Sequence, residues 1–315
     1  MIAATFLYFG SIVTIIVITS IAVALGESFI SQAAINAIDV QPSARSEINK
    51  AALLGIALTE TSAIIGLVIA IILFSKTLMM PYAGLPLMGI AIAVALPGFT
   101  AGLVSAQPIV KACQSIMRQP FFSSKVINLM LITTSFIQTP VVFGFIISLF
   151  IYYQIPHCTN YTQAICLFSS GLSIGLGSIG SIIGLSHYAK AACASIGYNR
   201  NAYFRIITFT FISQALIETP VIFSLIISLL VLNTTITQDS FATATALIAA
   251  ALCTALSNIA TGISSGKTAA AACHEITLKP ETYSTLSKAS LVAQGMLDSF
   301  AIYGWAVSLF ILLKQ

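Results

Sequence analysis

The chain has 315 residues, of which 58% are hydrophobic and 7% charged, with 13 basic and 9 acidic side chains and a formal net charge of +4. A soluble domain carries about 25% charged residues, so this composition excludes a water-soluble enzyme, a disordered tail and a disulfide miniprotein. The small positive surplus forms no dense basic face, which excludes nucleic acid as a partner.

A membrane-spanning helix needs about 20 apolar residues. Eight runs reach that length, roughly 3–37, 47–75, 82–117, 122–153, 162–197, 202–232, 240–277 and 281–313. The first has no basic residue before it and no clear small-residue cleavage site, so it reads as a retained span rather than a signal peptide. Eleven of the 13 basic residues sit in or near the first, third, fifth and seventh connections; Lys76 and Lys314 lie toward the other side. The positive-inside rule then predicts an all-α, multi-pass protein with those four connections cytoplasmic and both termini outside. Cys158 and Cys166 flank an outside loop and are a disulfide or two thiols, depending on the compartment. Cys113, Cys193 and Cys273 recur every 80 residues, which points to internal repetition.

Four stretches align: ETSAIIGLVIAIIL from Glu60, QTPVVFGFIISLFI from Gln138, ETPVIFSLIISLLV from Glu218 and DSFAIYGWAVSLFI from Asp298, at steps of 78, 80 and 80. Eighteen residues before each lies a polar loop, marked by Pro42, Pro120, Arg200 and Pro280. The expected fold is therefore four tandem helical hairpins, over 1–80, 81–158, 159–238 and 239–315. The first helix of each carries mostly small residues at every fourth place: Ser20, Ala24, Ser28; Gly98, Gly102, Ala106; Ser178, Ile182, Ser186; and Asn258, Gly262, Gly266. Such tracks let helix backbones approach closely in lipid. The second helices are bulky, so the first helices should form a tight inner layer inside a lipid-facing outer one.

Counting about 1.5 Å per residue from the loop places Glu60, Glu218 and Asp298 about 24 Å along their helices, near the middle of a bilayer. An ionised acid there costs at least ~2.5 kcal/mol. A proton or a bound cation removes that cost, so reversible ion carriage explains three aligned acids out of nine; structural hydrogen bonding between helices is the alternative. Each lead residue is followed by a hydroxyl, Thr61, Thr139, Thr219 and Ser299, able to donate to a carboxylate or ligate a hard cation. Pro140 and Pro220 should free the carbonyls of Phe136 and Leu216 beside the lead residue. Gln138 cannot take up a proton, so the second hairpin should pack like a site yet stay silent.

These features resemble the c subunit of rotary ATP synthases, the proteolipid of the c-ring. The resemblance rests on the Arg118-Gln119-Pro120 loop, the partial Gln41-Pro42, the glycine-rich first helices, the mid-membrane acids and GIALTETSAIIGLVIAIIL over 55–73. It covers nearly the whole chain, four times. Most such proteolipids have one hairpin and vacuolar-type relatives two, so four is a departure. The resemblance implies a two-layer ring of several chains in an energy-coupling membrane, of the bacterial inner-membrane kind. Its partners would be copies of itself, the a subunit of the stator, the central stalk and lipid. Glu60, Glu218 and Asp298 would carry H⁺ or Na⁺, with no cofactor and no ATP site on this chain. Stalk docking would fall to Gln41, Pro42, Arg118, Gln119, Pro120, Asn199, Arg200, Lys279 and Pro280. In sodium-binding relatives a Gln stands on the first helix, where this chain has Glu27, Ser105, Leu185 and Ser265. The hydroxyl is present, and Tyr303 sits where sodium types often carry Tyr. H⁺ is the favoured cargo and Na⁺ the alternative. Glu27 would either share a proton with a second-helix acid or face water.

Two other readings stay open. A secondary transporter also uses repeats and midplane acids, but its repeats usually hold more helices, often of opposite topology. A non-transporting membrane scaffold would have no use for three acids. Gly262-x-x-x-Gly266-Lys267 lacks the Walker spacing, and His157, His187 and His274 are isolated.

Overall fold

The computed structural model describes residues 2–75 (side chains from Phe6 on), 82–234 and 240–314. Lys76 and the expected hairpin boundaries at 80/81 and 238/239 lie outside the described residues. The described chain is helical. The first hairpin pairs α1 (Ile2–Val40) with α2 (Arg45–Ser75). The second pairs α3 (Gly84–Val104) and α4 (Ala106–Arg118) with α5 (Ser123–Gln154). The third pairs α6 (Tyr161–Tyr198) with α7 (Tyr203–Leu232), and the fourth α8 (Phe241–Leu278) with α9 (Tyr283–Leu313). Eight segments are long and apolar enough to cross a membrane, α3 and α4 together forming one of them. At about 1.5 Å per residue, the 39 residues of α1 exceed a hydrocarbon core of about 30 Å, so hydrophobic matching leaves the helix ends outside it.

All four hairpins turn the same way. A short 3₁₀ turn starts at Pro42, Pro120, Arg200 and Pro280. Each is closed by a backbone bond to the residue before it: Ala44 to Gln41 at 3.1 Å, Phe122 to Gln119 at 3.0 Å, Ala202 to Asn199 at 3.2 Å and Thr282 to Lys279 at 3.0 Å. Proline suits the first position of a turn because its fixed φ is already right and its missing N–H has no partner to lose. The third hairpin lacks proline. There the Asn199 side chain accepts from the Asn201 N–H at 3.0 Å and holds the same turn.

The first helices of the hairpins pack in the order α1, α3–α4, α6, α8, and the second helices in the order α2, α5, α7, α9 alongside them. The result is a two-layer row of hairpins. In the inner layer the small-residue tracks of the second and fourth hairpins face the preceding hairpin. A Cβ on Gly102 would meet the Val23 side chain at 2.9 Å, and one on Gly262 would lie 2.5 Å from the Gly180 carbonyl carbon. α6, flanked on both sides, buries most of its length. The outer helices leave Phe74, Phe204, Met296 and Phe310 exposed, as expected of a lipid-facing layer.

One span departs from the expected unbroken helix. The second hairpin's first segment breaks at Ser105, between α3 and α4. Pro108 has no N–H for the Val104 carbonyl four residues back. That orphaned carbonyl accepts from the Ser186 hydroxyl of α6 at 2.9 Å, so the next hairpin seals the break. Cys166 is a buried thiol that donates to the Val231 carbonyl at 2.8 Å, not half of a bridge.

Candidate ion-binding site

The four lead residues occupy one register on α2, α5, α7 and α9, but their surroundings differ. Gln138 is buried between two hairpins. Its Oε1 accepts from Ser62 of α2 at 2.8 Å, and its Nε2 donates to Ser105 at 3.0 Å. A site thus has three walls: the lead residue, a first-helix residue of the same hairpin, and the second helix of the preceding hairpin two residues past its own lead. An amide has both a donor and an acceptor, so this neutral cluster closes without an ion.

Asp298 holds the same place in the fourth hairpin and is 6% exposed. Its Oδ1 has no hydrogen-bond partner, and no donor among the described residues reaches the carboxyl. The repeat register puts Pro220, which has no donor, where the second site has Ser62. Ser265, on the first-helix wall, donates to Gln294 Oε1 at 3.5 Å instead. Gln294 is tied in turn to Ser290 at 3.0 Å and Ser213 at 3.4 Å. Glu218 is half-buried, and the repeat register puts Pro140 and Leu185, neither with a side-chain donor, at the positions of its walls. A carboxylate removed from water without donors is costly; a proton or a cation neutralises it.

Glu60 differs again. It is exposed, on the open edge of the row where no hairpin precedes it. Its first-helix wall is Glu27, half-buried and close enough to feel its charge. Beside the Glu60 carboxyl itself, one wall is therefore acidic and the other missing within one chain.

The hydroxyls after the lead residues do not reach the carboxyls. Thr61 donates to Leu58 at 2.7 Å, Thr139 to Ser135 at 3.4 Å, Thr219 to Ala215 at 3.2 Å and Ser299 to Gly295 at 3.5 Å. The reason is helical geometry: neighbours in sequence point about 100° apart, and a hydroxyl bonds back to its own helix carbonyls. The carbonyls of Phe136 and Leu216 receive no side-chain donor among the described residues. Tyr303 is 63% exposed and packs edge-on to Phe300 at 6.0 Å, away from Asp298.

Other polar residues join the site level. Gln214 and Gln294 stand four residues before Glu218 and Asp298, on the same helix face, and both are fully buried. The i, i+4 spacing of an amide and an acid was the available signal. Gln214 Nε2 donates to the Thr133 carbonyl at 3.4 Å. Asn258 of α8 donates to the Pro220 carbonyl at 2.5 Å and to Ser224 at 2.8 Å. Among the described residues no group of three metal-ligating side chains gathers anywhere.

At the turn end, hairpins two and three clasp each other. Gln119 Nε2 donates to the Gly197 carbonyl at 3.1 Å, Arg118 lies over the Tyr198 ring at 4.5 Å and Lys125 over Tyr203 at 5.4 Å. Asn199 Nδ2 likewise donates to the Thr277 carbonyl of the fourth hairpin at 2.9 Å. Arg118, Gln119, Pro120, Asn199 and Arg200 line a cleft of about 540 Å³, with Phe121 fully exposed at its rim. Gln41 Nε2 instead donates to the Ser43 hydroxyl within its own turn at 2.9 Å.

Comparison with known proteins points the same way. The profile of the ATP synthase C-subunit family matches residues 11–73, 88–151, 168–231 and 248–311, one match per hairpin. Curated relatives include the ATP synthase c subunit of Sulfurimonas denitrificans, 36% identical over 70 residues, covering 22% of this chain and 67% of that protein. Those of Sulfurovum sp. and Campylobacter fetus are 33% and 31% identical over 70 residues, covering 22% of this chain and 69% and 70% of theirs.

Proposed function

The chain belongs to the ATP synthase C-subunit family, and from that premise we propose that it is a four-hairpin rotor proteolipid that carries protons on Glu60, Glu218 and Asp298. Its units are the hairpins 1–80, 81–158, 159–238 and 239–315, turns on the cytoplasmic side and termini outside, in a bacterial inner membrane. Copies close into a ring against the a subunit of the stator. Each acid takes up an ion there, crosses the lipid neutralised, and releases it on meeting the stator again. Rotation is passed to the central stalk through the turns, where the Phe121-rimmed cleft offers an apolar and basic grip.

The observation that carries this reading is the contrast at one depth. Gln138 is satisfied by Ser62 and Ser105, whereas buried Asp298 has an oxygen with no partner. A neutral amide needs nothing more; the carboxyl needs a proton or a cation. The scarcity of oxygen ligands around Glu218 and Asp298 favours H⁺ over Na⁺.

Three carriers on four hairpins have an energetic consequence. Each charge crossing 100 mV is worth about 2.3 kcal/mol. Fewer ions per turn supply less free energy to ATP synthesis and let ATP hydrolysis build a steeper gradient. This rotor is therefore geared toward ATP-driven pumping. Robust synthesis by inverted vesicles at a modest imposed gradient would count against that gearing.

The direct test is labelling of membranes with a hydrophobic carbodiimide, which attacks protonated acids in lipid, followed by peptide mass spectrometry. Adducts are expected at Glu60, Glu218 and Asp298, unchanged by Na⁺ at fixed pH. Protection by Na⁺ would make the cargo sodium. No adduct at any of the three, with the reagent shown to enter the membrane, would make the acids structural and sink the rotor reading.

A further inference from the structure

The row of hairpins has two open edges, and the residues along them continue the pattern of the internal seams. Inside the chain, the track residue Gly262 packs on Gly180, and Gly266 packs on Gly184. Carried one hairpin further by the repeat register, Ala24 on the α1 edge would face Ala260 on the α8 edge, and Ser28 would face Ser264. Ala24, Ser28 and Ala260 are exposed in the single chain, and all four are small.

The turn end adds charge to this shape. At two internal seams the residue before the turn donates a neutral side-chain amide to the carbonyl three residues before the start of the next turn: Gln119 to Gly197 and Asn199 to Thr277. In the fourth hairpin the donor position is Lys279. The receiving position in the first hairpin is Asp39. Both are exposed, and neither has an ion-pair partner among the described residues, where the one ion pair joins His274 to Glu275. The two free edges are thus oppositely charged at the place where the internal seams are neutral.

We propose that the α8–α9 edge of one chain docks on the α1–α2 edge of a second copy of the same chain, keyed by Lys279 against Asp39. The proposal rests on the ring reading and names the occupant of its seam: this chain itself, not a single-hairpin relative. The docking also supplies the missing third wall of the Glu60 site, since the α9 of the second copy brings its Phe300 position beside Glu27 and Glu60. Like charges placed across an interface oppose wrong pairings more strongly than opposite charges favour right ones. A charged key at the chain-to-chain seam therefore enforces head-to-tail order, which the neutral internal seams obtain from covalent connection.

The test uses the full chain in detergent, with oligomers read by native mass spectrometry. Ala24→Cys together with Ala260→Cys should give an oxidant-dependent ladder of cross-linked chains; either substitution alone should not. Asp39→Lys and Lys279→Asp should each cut the oligomer yield by roughly tenfold, and the double exchange should restore it to within about twofold. Oligomers indifferent to both exchanges, or not rescued by the double one, would overturn the key. A single-hairpin protein present in fixed ratio within the oligomer would overturn the choice of occupant. An unmodified chain that is monomeric under all conditions would bring down the ring reading itself.

Discussion

The second and fourth hairpins place a polar side chain at the same level of the same fold and surround it in opposite ways. Around Gln138, two serines from different hairpins supply one donor and one acceptor. Around Asp298, the matching serine bonds a glutamine instead, and one carboxyl oxygen is left bare. On the proposed reading, silence and carriage would be properties of the whole cluster. An amide completes its network internally; a carboxyl in a donor-poor pocket completes it only by taking something up.

The strongest way to break this comparison is to exchange the two side chains. Gln138→Glu should gain a hydrophobic-carbodiimide adduct where the parent has none, and Asp298→Asn should lose its adduct entirely. Peptide mass spectrometry reads both as presence or absence. An unlabelled Glu at position 138, in a chain still labelled at Glu218, would mean that Ser62 and Ser105 hold the carboxyl in a form the reagent does not attack. The cluster, not the residue, would then decide silence.

The next effect comes from the seam that holds the fourth site in place. A Cβ at Gly262 would sit 2.5 Å from the Gly180 carbonyl carbon, backbone against backbone, whereas one at Gly10 meets nothing within 4 Å. Gly262→Leu should therefore destabilise the chain by about 3 kcal/mol or more through overpacking, and Gly10→Leu by little. Thermal unfolding in detergent separates them. Equal effects would mean that the inner-layer approach at Gly262 relaxes freely.

Much of this was legible before any coordinates. The steps of 78 and 80 residues fix the hairpins because every helix must repeat its register for the polar turn and the acid to recur together. The layer order followed from small residues on first helices and bulky ones on second. What stayed hidden depends on where side chains turn in three dimensions. Thr61 and Ser299 stand beside their acids in sequence yet point round the helix to their own carbonyls. The break at Ser105 needs both Pro108 and a hydroxyl from Ser186, 82 residues from the carbonyl it caps. Pairings between hairpins, such as Ser62 with Gln138, are invisible in a single repeat. Glu60 looks equivalent to Glu218 in sequence, and only the row of hairpins shows that it stands on an open edge.

A finer cut at the comparison removes one donor at a time. Ser62→Ala leaves buried Gln138 Oε1 without a donor, which should cost about 1 kcal/mol. Ser265→Ala removes only the long 3.5 Å contact to Gln294, so its cost should be a fraction of that. The same unfolding assay ranks them. If Ser265→Ala proves the more damaging, its hydroxyl serves Asp298 rather than Gln294, and the fourth pocket is less bare than its geometry indicates.

The smallest expected change tests whether the outer face matters to the carboxyl at all. Gly295 lies one turn before Asp298 on the exposed side of α9, where a Cβ would meet nothing within 4 Å. The equivalent positions in the first and third hairpins are Ala57 and Ala215, also exposed. Glycine inside a helix costs about 0.8–1.0 kcal/mol relative to alanine, and there is space for the methyl. Gly295→Ala should therefore stabilise the chain by somewhat under 1 kcal/mol while carbodiimide labelling of Asp298 stays unchanged. A drop in that labelling would place the reagent's path, and the ion's, along this thin strip of α9, giving the glycine a role in access that its cost in helix stability would then explain.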